Sequence, residues 1–221
     1  MGGFGFFVLI VIAFIAIAIV STFIGHRYER KRTDELQELA RSMGLEFRPD
    51  LDDGLRATLS GLPLFAEASS RTIRNLMYGS DGTTGTMIFD YKHKTGTGKN
   101  SQTSNYTIVL VHSPQLHLPK FSLQPEHFGH RLLATFGFQD INFSDHPQFS
   151  RSYLLRGPEE QVRAVFHDEV ITWFEGQPNL IVQGNDQDLA VTRPKLGKTP
   201  VGEIRELFEK SFQVFSLLRQ G

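Results

Sequence analysis

The sequence predicts an α+β fold: an N-terminal apolar helix, an antiparallel β-meander with helices packed on it, and a last helix at the C-terminus. Two observations carry this. Strand-like segments fill the middle of the chain and strong helical periodicities come late, an order unlike a βαβ array. One uncharged apolar run stands apart at the start, in a chain whose mean hydropathy is otherwise negative.

That run, residues 4–24 (FGFFVLIVIAFIAIAIVSTFI), is uncharged. As a helix it spans roughly 30 Å, the thickness of a bilayer hydrocarbon core. No basic region precedes it, and apolar sequence runs on past the small-x-small site at Ala16-Ile17-Ala18. An uncleaved anchor is therefore expected rather than a signal peptide. His26, Arg27, Arg30, Lys31 and Arg32 follow at once. By the positive-inside rule the N-terminus lies outside and the domain in the cytoplasm, at the inner (plasma) membrane of a single-pass protein. Arg27, Arg30, Lys31 and Arg32 can also sit on anionic lipid headgroups. The expected organisation is an anchor over 1–25, a juxtamembrane helix over 26–44 and an α+β domain over 45–221.

Residues 28–43 are rich in helix formers, carry Leu36, Leu39, Ala40 and Met43 on one stripe, and end at Gly44, a residue suited to the position after a helix. Asp50, Asp52 and Asp53 suit the start of a short helix that buries Leu55 and Leu59. Strands are expected at Leu62–Ala68, Asn75–Gly79, Thr86–Lys94 and Tyr106–Val111. In the third, Met87, Phe89 and Tyr91 alternate with Asp90, Lys92 and Lys94, which places Asp90 on the outer face. The fourth is apolar on both faces, as a central strand should be. Pro114, Pro119 and Pro125 divide the next stretch into short extended pieces, followed by a helix from about Pro125 to Phe136.

Tyr153–Arg156 reads as a strand. Gly157-Pro158-Glu159-Glu160 opens a helix through Val162, Val165, Phe166, Val170, Trp173 and Phe174. Short strands at Leu180–Gln183 and Leu189–Thr192 flank a turn at residues 184–188. The final helix begins at Thr199-Pro200 and places Ile204, Leu207, Phe208, Phe212, Phe215 and Leu218 inward.

Composition narrows the chemistry. A formal net charge of −1 argues against non-specific nucleic-acid binding. Zero cysteines remove disulfides, thiolate nucleophiles and zinc-thiolate sites. Lys94-Thr-Gly-Thr-Gly-Lys99 resembles a phosphate loop but has His93 where the first glycine belongs, Asn100 after the lysine and a strand downstream. Glycines of a hairpin loop explain it. Glu126-His127-Phe-Gly-His130 places two imidazoles on one helical face, and His167-Asp168-Glu169 and Asp145-His146 could add ligands, although no third ligand stands at a metal spacing. Arg71, Arg74 and Arg151 with Tyr78 and Tyr91 could line an anion pocket if the fold brings them together.

The ordered segments Gly44-Leu-Glu-Phe47, Arg74-Asn-Leu-Met-Tyr-Gly79, Phe89-Asp-Tyr91, Leu118-Pro-Lys-Phe121, Asp140-Ile-Asn-Phe143 and Tyr153-Leu-Leu-Arg-Gly157 carry a resemblance. The chain resembles a group of uncharacterised bacterial single-pass membrane proteins with an N-terminal transmembrane helix and a soluble α+β domain. The resemblance implies a tethered domain and assigns no catalytic, cofactor-binding or metal residue. The expected function is a membrane-tethered cytoplasmic binding or scaffold module of unknown ligand, with an unidentified protein partner. The alternative is a metal-assisted hydrolase using His127 and His130.

Overall fold

In a computed structural model the described residues are 3–50, 59, 61–65, 70–96, 101–128, 137–177, 179–194 and 197–219. The apolar run and the juxtamembrane segment form one continuous helix, α1 (Gly3–Ser42). Gly44, at φ 70°, reverses the chain, and the Leu45 N–H donates to the Ala40 carbonyl at 2.9 Å, closing the helix end that residues 28–43 predicted. Leu36 and Ala40 are buried and Leu39 and Met43 partly so, as their stripe requires.

The domain is built on an eight-stranded antiparallel sheet: β1 (Glu46–Asp50), β2 (Ser70–Ser80), β3 (Gly85–Thr95), β4 (Gln102–His112), β5 (Leu118–Pro125), β6 (Tyr153–Arg156), β7 (Ile181–Asp186) and β8 (Asp188–Thr192). Strands β2 to β4 form the expected meander, and β1, which was not expected, adds to its edge. The β7–β8 hairpin then inserts beside β4, giving the order β1-β2-β3-β4-β8-β7-β5-β6. Strand β4 is central and doubly covered: Val109 and Val111 join one core, Tyr106, Ile108 and Leu110 the other.

The larger core lies under α1, α2 (Pro147–Ser152), α3 (Glu159–Val165), α4 (Asp168–Glu175) and α5 (Val201–Leu218). The smaller core, on the opposite face, gathers Leu59, Leu62, Leu64 and Phe65 against Phe89, Tyr91 and Tyr106.

Several expectations need correction. In place of a strand over Leu62–Ala68, Pro63–Phe65 is a 3-10 turn, and residues 66–69 lie outside the described set. Proline removes a ladder donor, so the segment serves as a plug whose side chains fill the smaller core. Asp50 ends β1 opposite Arg74 instead of opening a helix; Leu59 is helical and buried, while Leu55 lies outside the described residues. Pro125 ends β5, a single eight-residue strand, and Glu126–Phe128 is a 3-10 turn; the rest of the helix expected to Phe136 lies outside the described residues.

The helix expected after Gly157 is two helices, α3 and α4, separated at Phe166 and His167. Its apolar pattern is continuous because both pieces face one core. Residues 184–188 are mostly strand: Gly184 sits in β7, where a Cβ would lie 2.4 Å from Phe121 Cε1, so the glycine answers a close approach and not a turn.

In α5 the buried stripe is Ile204, Leu207, Ser211, Val214, Phe215 and Leu218. Ile204, Leu207, Phe215 and Leu218 lie inward as expected, whereas Ser211 and Val214 complete the stripe and leave Phe208 and Phe212 half-buried at its margin. Ser211 satisfies its hydroxyl within the helix, on the Leu207 carbonyl at 2.7 Å.

Candidate functional site

The chemistry of the molecule is concentrated where α1 meets the sheet. Asp90 is the centre. It was expected on the outer face of β3, and it does face away from Phe89 and Tyr91, but α1 covers that face and leaves Asp90 3% exposed. Arg32, 5% exposed, meets it in a two-point ion pair: Nε donates to Oδ2 at 2.8 Å and Nη2 to Oδ1 at 2.7 Å. Such a fork is geometrically specific as well as strong. Nη1 donates to the Thr199 carbonyl at 2.9 Å, at the entry to α5.

Thr107, opposite Asp90 in β4, uses its full hydroxyl capacity. It donates to Asp90 Oδ1 at 3.0 Å and accepts from Arg32 Nη2 and from the Thr199 N–H, both at 3.0 Å. Asn75 completes the set, its Nδ2 donating to Asp90 Oδ2 at 3.0 Å while its Oδ1 accepts from the Thr33 hydroxyl at 2.9 Å. It reaches the carboxylate because β2 shifts register between Arg74 and Met77, and Asn75 takes φ 55° there. A bulge of this kind re-aims one side chain without breaking the strand, and Asn tolerates the left-handed conformation better than most residues.

Burial alone would push the Asp90 carboxyl up. The hydrogen bonds and charge of Arg32, the charge of Lys198 and the Asn75 amide outweigh it and hold Asp90 below the usual carboxylate range. Burial likewise pulls on the Arg32 guanidinium, and Asp90 more than compensates, so Arg32 stays charged. Beside the pair, Lys198 Nζ donates to Glu29 Oε2 at 2.7 Å and lies 3.6 Å from Asp90 Oδ2. Arg32 is thus committed to Asp90, while Arg27, Arg30 and Lys31 of the juxtamembrane cluster are exposed.

Next to this network a cleft of about 240 Å³ opens between α1 and the sheet, with Glu29, Arg74, Lys92 and Lys198 on its walls. A second, more open polar cleft of about 500 Å³ includes His127, Arg193, Glu203, Glu206 and Lys210. Its charges are internally paired: Arg193 reaches Glu203 and, at 2.9 Å, Glu206, which also meets Lys210 at 3.0 Å. A shallow groove between α4 and α5 carries Trp173, Phe208, Phe212 and Leu217.

The other sequence candidates are dispersed. His127 is exposed on the 3-10 turn, and His130 lies outside the described residues. Among the described residues no three of His, Asp and Glu are placed to hold a metal. His146 approaches Asp168 at 3.4 Å and Glu175 at 3.8 Å, and Glu175 accepts the Phe149 N–H, so these groups serve the α2–α4 packing. The arginines do not converge: Arg74 lines the junction cleft, Arg71 acts on Tyr91 and His93 at the opposite face, and Arg151 belongs to α2. Tyr78 bonds Glu46 at the sheet edge, and Tyr91 packs on Phe65 with ring centroids 4.6 Å apart and planes tilted by 60°. In sequence Asp90 reads only as an outward-facing charge, and Asn75 carries no site signal. The one signal was a charge set in a strand between Phe89 and Tyr91, with Arg32 four residues before the apolar stripe that begins at Leu36.

Taken together, fold and site define a sheet domain keyed onto a helix that is long and apolar enough at its start to cross a membrane. Among solved structures, the chain is similar to the mycobacterial trehalose monomycolate transport factor A, TtfA, at 11% identity and a TM-score of 0.57, over 85% of this chain and 92% of that one. That likeness is one of fold. No family model and no curated protein matches the sequence.

Proposed function

We propose that the chain is a single-pass membrane-anchored binding module, its N-terminus outside and its sheet domain held at the cytoplasmic face. The observation that carries the reading is the continuity of α1. The helix whose first half is apolar and exposed enters the domain as its covering element, fixed by the buried Arg32–Asp90 pair. A domain so keyed to its anchor is held at a set height and orientation, as a docking platform needs. The basic cluster after Ile24 supports the cytoplasmic orientation. The fold neighbour TtfA is a transport factor, which is compatible with a binding role.

Two measurements test this. Full-length chain should sediment with membranes and resist alkaline carbonate extraction, whereas residues 28–221 should remain in the supernatant. A fluorescent reporter fused after Gly221 should be bright, and alkaline phosphatase there inactive. Extraction by carbonate overturns the anchor, and an active phosphatase overturns the orientation.

A further inference from the structure

We infer that the cleft between α1 and the first three long strands of the sheet is a binding site for a phosphate-bearing anion. The site is made by register. Thr72, Lys92 and Asn105 stand side by side on β2, β3 and β4, one rung beyond the Arg74, Asp90 and Thr107 rung on the same face. Glu29 and Lys198 close the wall opposite.

Charge decides the sign of the ligand. Arg32 neutralises Asp90, and Lys198 is joined to Glu29 through both carboxylate oxygens. Arg74 and Lys92 then remain as exposed cations with no side-chain partner among the described residues. Asp50 stands opposite Arg74 in β1, but it is exposed and does not line the cleft. Thr72 and Asn105 add a hydroxyl and an amide whose hydrogen bonds are likewise open among the described residues. A guanidinium, an ammonium and two neutral donors around one small space match an oxyanion with several acceptor oxygens. At about 240 Å³ the space is smaller than the roughly 300–1,000 Å³ of a typical organic-ligand pocket and suits a phosphate with a short substituent.

Position names the candidate sources. Glu29 lies five residues past Ile24, or roughly 7.5 Å along the helix axis, and the headgroup layer of a bilayer is about 5–8 Å thick on each side. The cleft therefore sits at the outer edge of that layer. A lipid headgroup phosphate reaches it from the membrane, and a soluble phosphate ester reaches it from water. Only the lipid source rests on the anchoring reading, which carbonate extraction tests separately.

The experiment uses the full chain in detergent, followed by native mass spectrometry with added phosphatidylglycerol or phosphatidylcholine, and by calorimetric titration with glycerol 3-phosphate. Wild type should retain one phosphatidylglycerol in preference to additional, statistical adducts, or bind one equivalent of glycerol 3-phosphate. The first result identifies the membrane source, the second the soluble one. Arg74→Ala/Lys92→Ala should weaken that binding by about tenfold or more. Arg74→Lys/Lys92→Arg should restore most of it, and Arg27→Ala/Arg30→Ala/Lys31→Ala should leave it in place. Both exchanged side chains are exposed, so an unchanged thermal midpoint is expected for the double alanine variant. Neither probe bound, binding indifferent to the double alanine variant, or binding lost only with the juxtamembrane triple variant would each overturn the proposal.

Discussion

Between Ile10 and Ile24, α1 exposes Phe14 at 69%, Ile17 at 63% and Phe23 at 61%, with no part of the domain against them. Between Arg32 and Ala40, the same helix buries Leu36, Ala40 and a charged arginine. One element thus obeys two opposite rules of burial within a few turns. The first half has the composition that hydrocarbon admits, apolar and without a charge. The second half is written for a protein interior, where a charge is tolerated because its partner is preplaced. The lesson is that a helix long and apolar enough at its start to cross a membrane can continue without a linker as a domain's covering layer, fixed there by a buried ion pair.

The largest effect should come from cutting the second half away. Residues 28–221 keep Glu29, Arg32, Leu36 and Ala40 and should unfold cooperatively in urea. Residues 43–221 lose them, strip the sheet of its cover over Met77 and leave Asp90 without its cation. That fragment should aggregate or show no transition, and a cooperative transition of normal amplitude would show that α1 is not part of the core.

Arg32→Ala should come next, at about 3–5 kcal/mol in urea denaturation, because it leaves a buried carboxylate without its principal counter-charge. Arg32→Met/Asp90→Leu should recover part of the loss, since replacing both ions by apolar groups costs less than orphaning one. The Asn75 amide and the Thr107 hydroxyl would lose their acceptor and the Thr199 carbonyl its donor, so recovery should be incomplete. Equal stabilities for the single and double variants would mean that the carboxylate is not the source of the cost.

Leu36→Ala sharpens the comparison at fixed chemistry against Ile17→Ala. The former should cost about 2–5 kcal/mol in domain stability, as a buried large-to-small change does, and the latter under about 0.5 kcal/mol. Similar urea midpoints for the two variants would erase the distinction between the halves.

The smallest expected effect separates the junction from the other face by pH. The Asp90 carboxyl is held below its ordinary value, so its stabilisation is complete above pH of about 4 and is lost only as pH falls further. His93 differs. Burial among Tyr91 and Tyr106, with Arg71 adding to it, lowers its affinity for a proton. Its neutral form is the folded one, so stability is full above about pH 6.5 and declines as pH falls below that value. Urea midpoints at about pH 7.5 and 5.5 should drop on acidification in wild type and drop less in His93→Phe. An equal drop in both would place the acid sensitivity elsewhere.

The parts of the fold that were legible in sequence are those whose signal is local. The uncharged run, the Leu36/Leu39/Ala40/Met43 stripe ending at Gly44, the alternation in β3, the doubly apolar β4 and the strand Tyr153–Arg156 each state a periodicity that one face or two faces of burial enforce. The helix over Val162–Phe174 was legible as apolar periodicity but not as two helices, since a break that keeps both pieces on one core leaves the pattern continuous. In α5 four of the six expected inward residues are buried, but Ser211 and Val214 stand deeper than Phe208 and Phe212. The apolar arc of the sequence is wider than the contact, and where the sheet lies decides which edge of it is covered.

The sequence by itself determined that this chain has an apolar span, a basic flank, an α+β order and a central strand at Tyr106–Val111, because side-chain period and composition are properties of neighbouring residues. Tertiary structure alone decided that β7 and β8 enter the sheet beside β4, that a plug at Pro63–Phe65 replaces a strand, and that Arg32 meets Asp90 across 58 residues of chain. Read locally, Arg32 is one more cation after a span and Asp90 one more charge on the polar side of a strand. Only when α1 lies across β2 and β3 does water leave both of them. Two charges removed from water together, in hydrogen-bonding register, become a single buried pair.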